Sequence, residues 1–333
     1  MLDIPRIKRI QLSRYPLMQR MTGMILLLNY RLLPGIKTTF EHAERLQGEP
    51  VIFAMNHTDR YNYFPFQAHL WRTYNRFTAT WVKGKYYENA FVGGFMEKTN
   101  QLPTVSRGYL ITKDFQAVTG RPPTDEEYEA ARQWVDAAAT GNGESVRPAS
   151  GVLPEVLLTK PRDVLGRGFE PDKEDWASYV NAIFRTMMRH FVELNEEAAR
   201  VQLDLLIFPQ GTRSVRLLPA HIGISQIALH LKLPIVPVGC NGSDRVYPDV
   251  SPWGKRADIV YRIGEPIPYE SLTDFHIHES YEPFSPDAEQ RHGEEFEGLA
   301  ALITDRIEDL LDERYKRASA VGADATEGSA RFI

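Results

Sequence analysis

The sequence predicts an α/β fold with a central mixed β-sheet of about seven strands flanked by helices. Short apolar runs bounded by turn residues recur along the chain, and helical patterns lie between them. Strands that alternate with helices are typical of a sheet covered on both faces. The 333 residues, 43% hydrophobic and 25% charged, have a globular composition that excludes collagen-like, coiled-coil and wholly disordered chains.

The predicted strands are short and rich in Val, Ile, Phe or Tyr, with Gly, Pro or polar residues at their ends. In chain order they cover residues 38–40, 50–55, 77–82, 102–105, 205–208, 235–238 and 259–263. Runs of this length and composition indicate buried strands.

The predicted helices show apolar residues at helical spacing. They cover residues 16–33, 63–74, 125–139, 175–200, 221–231 and 294–316. The third follows Thr124 and carries acidic residues in its first turn, which is typical of a capped N-terminus. The fourth has an apolar stripe that includes Trp176, Phe184 and Phe191.

The first helix lies in a basic N-terminal segment, residues 1–36. Its apolar stripe is formed by Leu17, Met21, Met24 and Leu28. The uncharged stretch, residues 21–30, is too short for a spanning helix, which needs about 20 apolar residues. The helix either lies in a membrane interface or packs on the protein's own core, and one helix can do both. The residues that flank and end it are Arg14, Arg20, Arg31, Pro34 and Gly35.

The formal net charge of −5 is unevenly distributed along the chain, with basic residues concentrated at the N-terminal end and acidic residues at the C-terminal end. Residues 1–40 hold seven basic and one acidic residue, and residues 265–333 hold six basic and 17 acidic residues. This polarity favours a peripheral protein whose N-terminal side rests on an anionic membrane, on its cytoplasmic face. The alternative is chance placement of charge on solvated faces. The mild overall acidity argues against nucleic acid as a partner.

A main domain is expected over residues 37–317, with an insertion at about 108–172. The insertion is rich in Gly and Pro, and long irregular segments in compact domains are often functional. Residues 318–333 are small and polar and are predicted to form a disordered tail.

Metal and disulfide chemistry find little support in the sequence. The single cysteine, Cys240, excludes internal disulfides and Cys-rich zinc modules, and favours a reducing compartment. His276 and His278, with acidic neighbours, fit no strong ligand template. We therefore expect no metal site.

Residues with reactive side chains follow the predicted strands. His57 and Asp59 come directly after the strand at 50–55, where α/β folds place catalytic groups. The run 208–214, Phe-Pro-Gln-Gly-Thr-Arg-Ser, follows another strand and offers donors suited to phosphate. Arg107 ends a third strand region, and the strand at 235–238 is edged by prolines. A structural histidine and an ordinary strand-to-loop turn are the simpler interpretations of the first two.

Together and in this order, these motifs resemble those of the glycerolipid acyltransferase family, which includes the lysophosphatidic acid and glycerol-3-phosphate acyltransferases. That family carries Asn-His, four further residues and an Asp, then a strand ending in Arg, then Phe-Pro-Glu-Gly-Thr-Arg-Ser, then a Val-Pro-Val-type strand. The resemblance covers roughly residues 20–265, apart from the insertion. Two positions depart from it, because Asn62 replaces the Asp and Gln210 replaces the Glu.

The resemblance implies a glycerol-3-phosphate acyltransferase-like fold and acyl transfer from acyl-CoA or acyl carrier protein, as co-substrate, with no resident cofactor. The acceptor would be a lysophosphatidic-acid-like or glycerol-phosphate-like hydroxyl in phospholipid biosynthesis or remodelling. His57 would be the general base, with Asn62, or alternatively Asp59, orienting its ring. The residues that would bind substrate are Arg107, Gln210, Gly211, Thr212, Arg213 and Ser214.

The two amides leave a second hypothesis open. An amide at position 62 can accept the Nδ1–H bond of His57 but supplies no negative charge to an imidazolium. The alternative to an active acyltransferase is a non-catalytic relative that binds lipid or an acyl carrier.

Overall fold

A computed structural model describes residues 1–31, 35–46, 48 and 50–317 of the chain. The end of the predicted N-terminal helix at residues 32–34 and the tail at 318–333 lie outside the described residues, as does the side chain of Arg31.

Among the described residues, seven strands form the main sheet: β1 (Ile36–Glu41), β2 (Ile52–Met55), β3 (Thr78–Lys83), β4 (Gln101–Thr104), β7 (Asp204–Ile207), β8 (Ile235–Asn241) and β9 (Ala257–Ile263). Their order in the sheet is β1-β9-β8-β2-β7-β3-β4. All neighbouring pairs are parallel except β8 and β9, so the sheet is mixed. This confirms the predicted α/β class with a mixed seven-stranded sheet flanked by helices. Two further short strands, β5 (Arg162–Asp163) and β6 (Gly168–Phe169), pair with each other apart from this sheet.

The centre of the sheet is apolar because both of its faces are covered. Every residue of β2, β7 and β8 is buried, which accounts for their continuous apolar runs in the sequence. Since β2, β3, β7 and β8 run parallel, their carboxyl ends meet at one edge. That edge brings the segments after β2 and β7 together.

Helices flank the sheet. They are α1 (Ile4–Lys8), α2 (Leu17–Arg31), α3 (Phe64–Tyr74), α4 (Ala90–Lys98), α5 (Arg107–Thr119), α6 (Asp125–Ala139), α7 (Glu155–Thr159), α8 (Trp176–Arg200), α9 (Gly223–Leu231), α10 (Ser243–Val246) and α11 (Pro286–Glu308). At α6 the Thr124 hydroxyl accepts the Glu127 N–H while the Glu127 side chain accepts the Thr124 N–H, as its sequence predicted.

The insertion is more helical than its Gly and Pro content indicated. It contains α6, as predicted, but also most of α5, where Ser106 caps the N-terminus and Gly120 ends the helix at φ +75°. Both helices pack on α8. In α11 the helix begins at Pro286 behind the capping Ser285, earlier than predicted, and is interrupted at His292.

The N-terminal segment contributes to the core. Leu2, Ile4 and Ile7 are almost fully buried, and the Arg6 guanidinium donates to Glu97 on α4. In contrast, α2 packs on α3 yet leaves several apolar side chains in solvent. Nowhere in the described parts of the chain is a helix long and apolar enough to cross a membrane.

Candidate functional site

The candidate site lies at the carboxyl edge of the sheet, where the segment after β2 meets the loop after β7. The Ser214 N–H donates to the His57 carbonyl oxygen at 2.8 Å, so the two segments contact through their backbones. Strand ends at this edge are where open α/β sheets bind ligands.

The imidazole of His57 is oriented by Asn62. Nδ1 of His57 lies 3.0 Å from Oδ1 of Asn62. The five-residue spacing brings the two side chains together because the chain turns back after His57 before α3 begins at Phe64. Asn62 is fully buried, while the His57 side chain is partly exposed. The structure therefore joins the two residues that the sequence predicted to be a pair.

The surroundings of Asn62 fix which half of its amide faces the ring. Nδ2 of Asn62 lies 2.7 Å from the backbone oxygen of Asn56, which can only accept a hydrogen bond. Oδ1 must then face His57, and Nδ1 of His57 must carry the proton. This leaves Nε2 of the neutral ring with a lone pair, as a general base requires.

The environment of His57 favours its neutral form. The ring stacks on Phe208, with centroids 4.0 Å apart and planes inclined by 21°. The pKa of His57 is lowered to about 3. Burial is the main cause, the hydrogen bond with Asn62 opposes it, and the positive charges of Arg213 and Lys83 add to the decrease. At neutral pH the imidazole is uncharged.

Asp59 bonds to other groups. Its carboxylate accepts the Tyr61 N–H at 2.8 Å and the Thr58 hydroxyl at 2.9 Å. Burial raises its pKa, and these hydrogen bonds oppose the change. Asp59 thus shapes the turn after His57, and the Nδ1 position of His57 is taken by Asn62.

Gln210 links the two loops. Its Oε1 accepts the His57 N–H at 3.4 Å, and its Nε2 donates to the Thr212 oxygen at 2.9 Å and to the His57 oxygen at 3.4 Å. The side chain is 2% exposed. Both halves of the amide therefore contact backbone.

The rest of this loop is open to solvent. Gly211 has a φ of +64°, and a Cβ there would lie 2.8 Å from a ring carbon of His221, so the position favours glycine. Gly211 and Arg213 are exposed, and Thr212 and Ser214 are partly exposed. Arg213 is close enough to lower the pKa of His57. The loop can present donors and a positive charge to an anion beside His57.

Arg107 faces the helices of the insertion and α8. Its Nε donates to Asn181 at 2.9 Å, and its guanidinium lies 4.4 Å from the ring centroid of Phe184. Asp136 lies 4.0 Å away. The cations that act on His57 are instead Arg213 and Lys83. A role for Arg107 in binding substrate stays a prediction.

Two residues of the motifs have roles that sequence reasoning did not assign. Asn56 connects the segment after β2 to β8 by two hydrogen bonds. Its Nδ2 donates to the Cys240 oxygen at 3.0 Å, and its Oδ1 accepts the Cys240 N–H at 2.7 Å. Phe208 supports the His57 ring by stacking. In the sequence, these roles are indicated only by position, since Asn56 precedes His57 and Phe208 follows β7.

No group of three or more His, Cys, Asp or Glu side chains in the described part of the chain is placed to hold a metal ion.

Comparisons with known proteins give a distant structural likeness. No family model and no curated protein matches the chain. Among solved structures, it is similar to the crystal structure of the 1-acyl-sn-glycerophosphate (LPA) acyltransferase, PlsC, from Thermotoga maritima. The two chains are 13% identical, with a TM-score of 0.37, over 85% of this chain and 78% of that chain.

Proposed function

We propose that this protein is an acyltransferase that moves a fatty acyl group from a thioester to the hydroxyl of a lysophosphatidic-acid-like or glycerol-phosphate-like acceptor. The observation that carries the proposal is the contact between Nδ1 of His57 and Oδ1 of Asn62, 3.0 Å long, at the edge of the sheet. It leaves a neutral imidazole whose free Nε2 can take a proton.

In the proposed reaction, Nε2 of His57 takes the proton of the acceptor hydroxyl while the oxygen attacks the carbonyl carbon of the thioester. The tetrahedral intermediate then breaks its C–S bond, an ester remains, and the departing sulfur receives the proton from the imidazolium. Acyl-CoA or acyl carrier protein supplies the acyl group, and no resident cofactor is needed.

The charges around His57 support an anionic acceptor. Arg213 and Lys83 both act on the ring electrostatically. Arg213 is exposed on the loop whose Gly211, Thr212 and Ser214 offer further donors. A phosphate held there would place a nearby hydroxyl within reach of His57.

The test is a thioester-consumption assay on the full chain. Acyl-CoA and acyl carrier protein donors are offered with lysophosphatidic acid, glycerol-3-phosphate and neutral lysophospholipids, and thiol release is measured. We expect turnover with phosphate-bearing acceptors and none after His57→Ala. Turnover that survives His57→Ala overturns the mechanism.

A second candidate is a non-catalytic protein that binds lipid or an acyl carrier. Asn62 favours it, since an amide cannot stabilise an imidazolium as a carboxylate does. Saturable binding of lysophosphatidic acid or acyl carrier protein, with no turnover of any acceptor, would support this function over acyl transfer.

We further propose that α2 attaches the protein peripherally to an anionic membrane, on its cytoplasmic side. Leu17, Ile25 and Leu28 are 66%, 54% and 47% exposed, whereas Leu26 is 7% exposed. One helix thus packs on the body and also presents apolar side chains outward, which unites the two interpretations of its sequence. Arg14 and Arg20, both exposed, add positive charge.

Two exposed aromatic side chains lie on elements that contact α2. We include them in the proposed membrane-binding surface. Phe91 is 91% exposed on α4, which contacts α2. Trp253 is 52% exposed in a loop whose backbone is hydrogen-bonded to the Asn29 side chain of α2. Exposed aromatic residues of this kind are common at membrane interfaces.

A further inference from the structure

Gln210 uses its amide in a way that a carboxylate cannot reproduce. Its Nε2 faces two oxygens, those of Thr212 at 2.9 Å and His57 at 3.4 Å, and both can only accept hydrogen bonds. Its Oε1 faces the His57 N–H. The orientation of the amide follows from these partners, and position 210 needs one donor and one acceptor.

These bonds determine where the loop after β7 lies. The His57 oxygen accepts from both Gln210 and the Ser214 N–H, so the loop is closed around the His57 peptide at two points. Arg213, one residue before Ser214, is carried by the same loop. The distance between the proposed base and the cation thus depends on Gln210.

We propose that Gln210 is a positioning residue that fixes His57 relative to the anion-binding loop, and that it requires the hydrogen-bond donor of an amide. The proposal rests on the proposed function for its kinetic consequence, but the packing it describes does not. Gln210, which the resemblance placed among the substrate-binding residues, acts in this proposal through the backbone of His57 and Thr212.

An ionised glutamate at position 210 would direct an oxygen at the Thr212 oxygen and place an unpaired charge in a buried site. Both effects destabilise the closed loop. A protonated glutamate has nearly the shape of glutamine and can donate one hydrogen bond. The Gln210→Glu variant should therefore work at low pH and fail at high pH.

The titratable and charged groups around this position come from several elements. They include His57 after β2, whose backbone contacts Gln210, and His221, whose ring lies against Gly211. Lys83 on β3 and Arg213 on the same loop both act on His57. Comparing each variant with the wild type at the same pH separates the titration of position 210 from theirs.

The kinetic test measures kcat and KM between pH 5 and 8.5 for the wild type, Gln210→Glu, Gln210→Ala and Gln133→Glu. Gln133 is exposed on α6 and provides the matched change in charge. We expect kcat/KM of Gln210→Glu to be about tenfold or more below wild type at pH 8 and to approach it at pH 5. Gln210→Ala should be low at every pH, and Gln133→Glu should match wild type. Equal or higher activity of Gln210→Glu at pH 8 overturns the proposal.

A second measurement is independent of turnover. NMR of protein labelled with ¹⁵N-histidine, with His57 assigned through His57→Gln, follows the ring directly. In Gln210→Glu the His57 resonances should shift with pH as the new carboxyl group ionises, and in Gln133→Glu they should not. If the spectra of Gln210→Glu and wild type superimpose throughout, the positioning role is wrong even if acyl transfer is confirmed. If they differ while no acceptor is turned over, the proposed function fails and the positioning role stands.

Discussion

Oδ1 of Asn62 lies 3.0 Å from Nδ1 of His57, and the other half of the same amide donates to the Asn56 oxygen at 2.7 Å. The fixed amide makes Nδ1 the protonated nitrogen of a neutral ring. The ring is thereby oriented without any carboxylate at Nδ1, and in the proposed reaction its Nε2 serves as the base.

Asn62→Ala should lower kcat by about 100-fold, with KM little changed, because the ring loses the group that selects its tautomer and orientation. Steady-state kinetics with the best acceptor measure this. Asp59→Asn is the matched control, since Asp59 bonds to Thr58 and Tyr61, and its activity should stay within about threefold of wild type. A greater decrease in kcat in Asp59→Asn than in Asn62→Ala would show that Asp59, and not Asn62, orients the His57 ring.

The kcat/KM of the wild type should not decrease as the pH is lowered through 6.5, the ordinary pKa of histidine; that is, its pH profile should have no acidic limb there. Because burial and nearby cations lower the pKa of His57 to about 3, the ring stays neutral and able to accept a proton well below pH 6. In Asn62→Asp an adjacent carboxylate favours the imidazolium, so the acidic limb should move to higher pH. A wild-type limb near pH 6.5 would contradict the low pKa.

Stability should depend on His57 in the same pH range. The unfolded chain protonates His57 near its ordinary pKa of 6.5, whereas the folded protein resists protonation until about pH 3. The unfolded state thus binds more protons between these values, and the free energy of unfolding falls as pH is lowered, by at most about 1.4 kcal/mol per pH unit from this group.

Urea unfolding of wild type and His57→Gln at several pH values isolates this contribution. The difference matters because the raised pKa of Asp59 acts in the opposite direction, favouring the folded state at low pH. Parallel pH dependences in the two proteins would show that His57 titrates normally.

Membrane attachment should depend on the exposed face of α2. Replacing Leu17, Ile25 and Leu28 together by Gln should abolish sedimentation with vesicles containing anionic lipid, with little change in the free energy of unfolding, since these side chains are in solvent. The control replaces Val146 and Val156, both 40% exposed, in the same way. Equal vesicle binding by all three proteins would refute the proposed surface. Deletion of residues 1–35 is a poor test, because it also removes buried side chains such as Leu2 and Ile7.

The sheet could be predicted because its buried strands are continuous apolar runs, and α6 could be predicted because Thr124 and Glu127 form a local capping box. The pairing of His57 with Asn62 was also predicted, through the resemblance to a motif whose partner residue follows the histidine by five positions. The direction of Arg107 was not, because it depends on Asn181, 74 residues later. Nor was the role of Gln210, because its partners are backbone atoms that only the folded loops bring together.

The most direct test of the central claim measures thiol release and ester formation in the same reaction, for wild type and His57→Gln, with lysophosphatidic acid or glycerol-3-phosphate. Direct attack by the acceptor, with His57 as base, predicts one ester per thiol in the wild type and neither product above background in His57→Gln. Ester formation by His57→Gln at the wild-type rate would contradict the account.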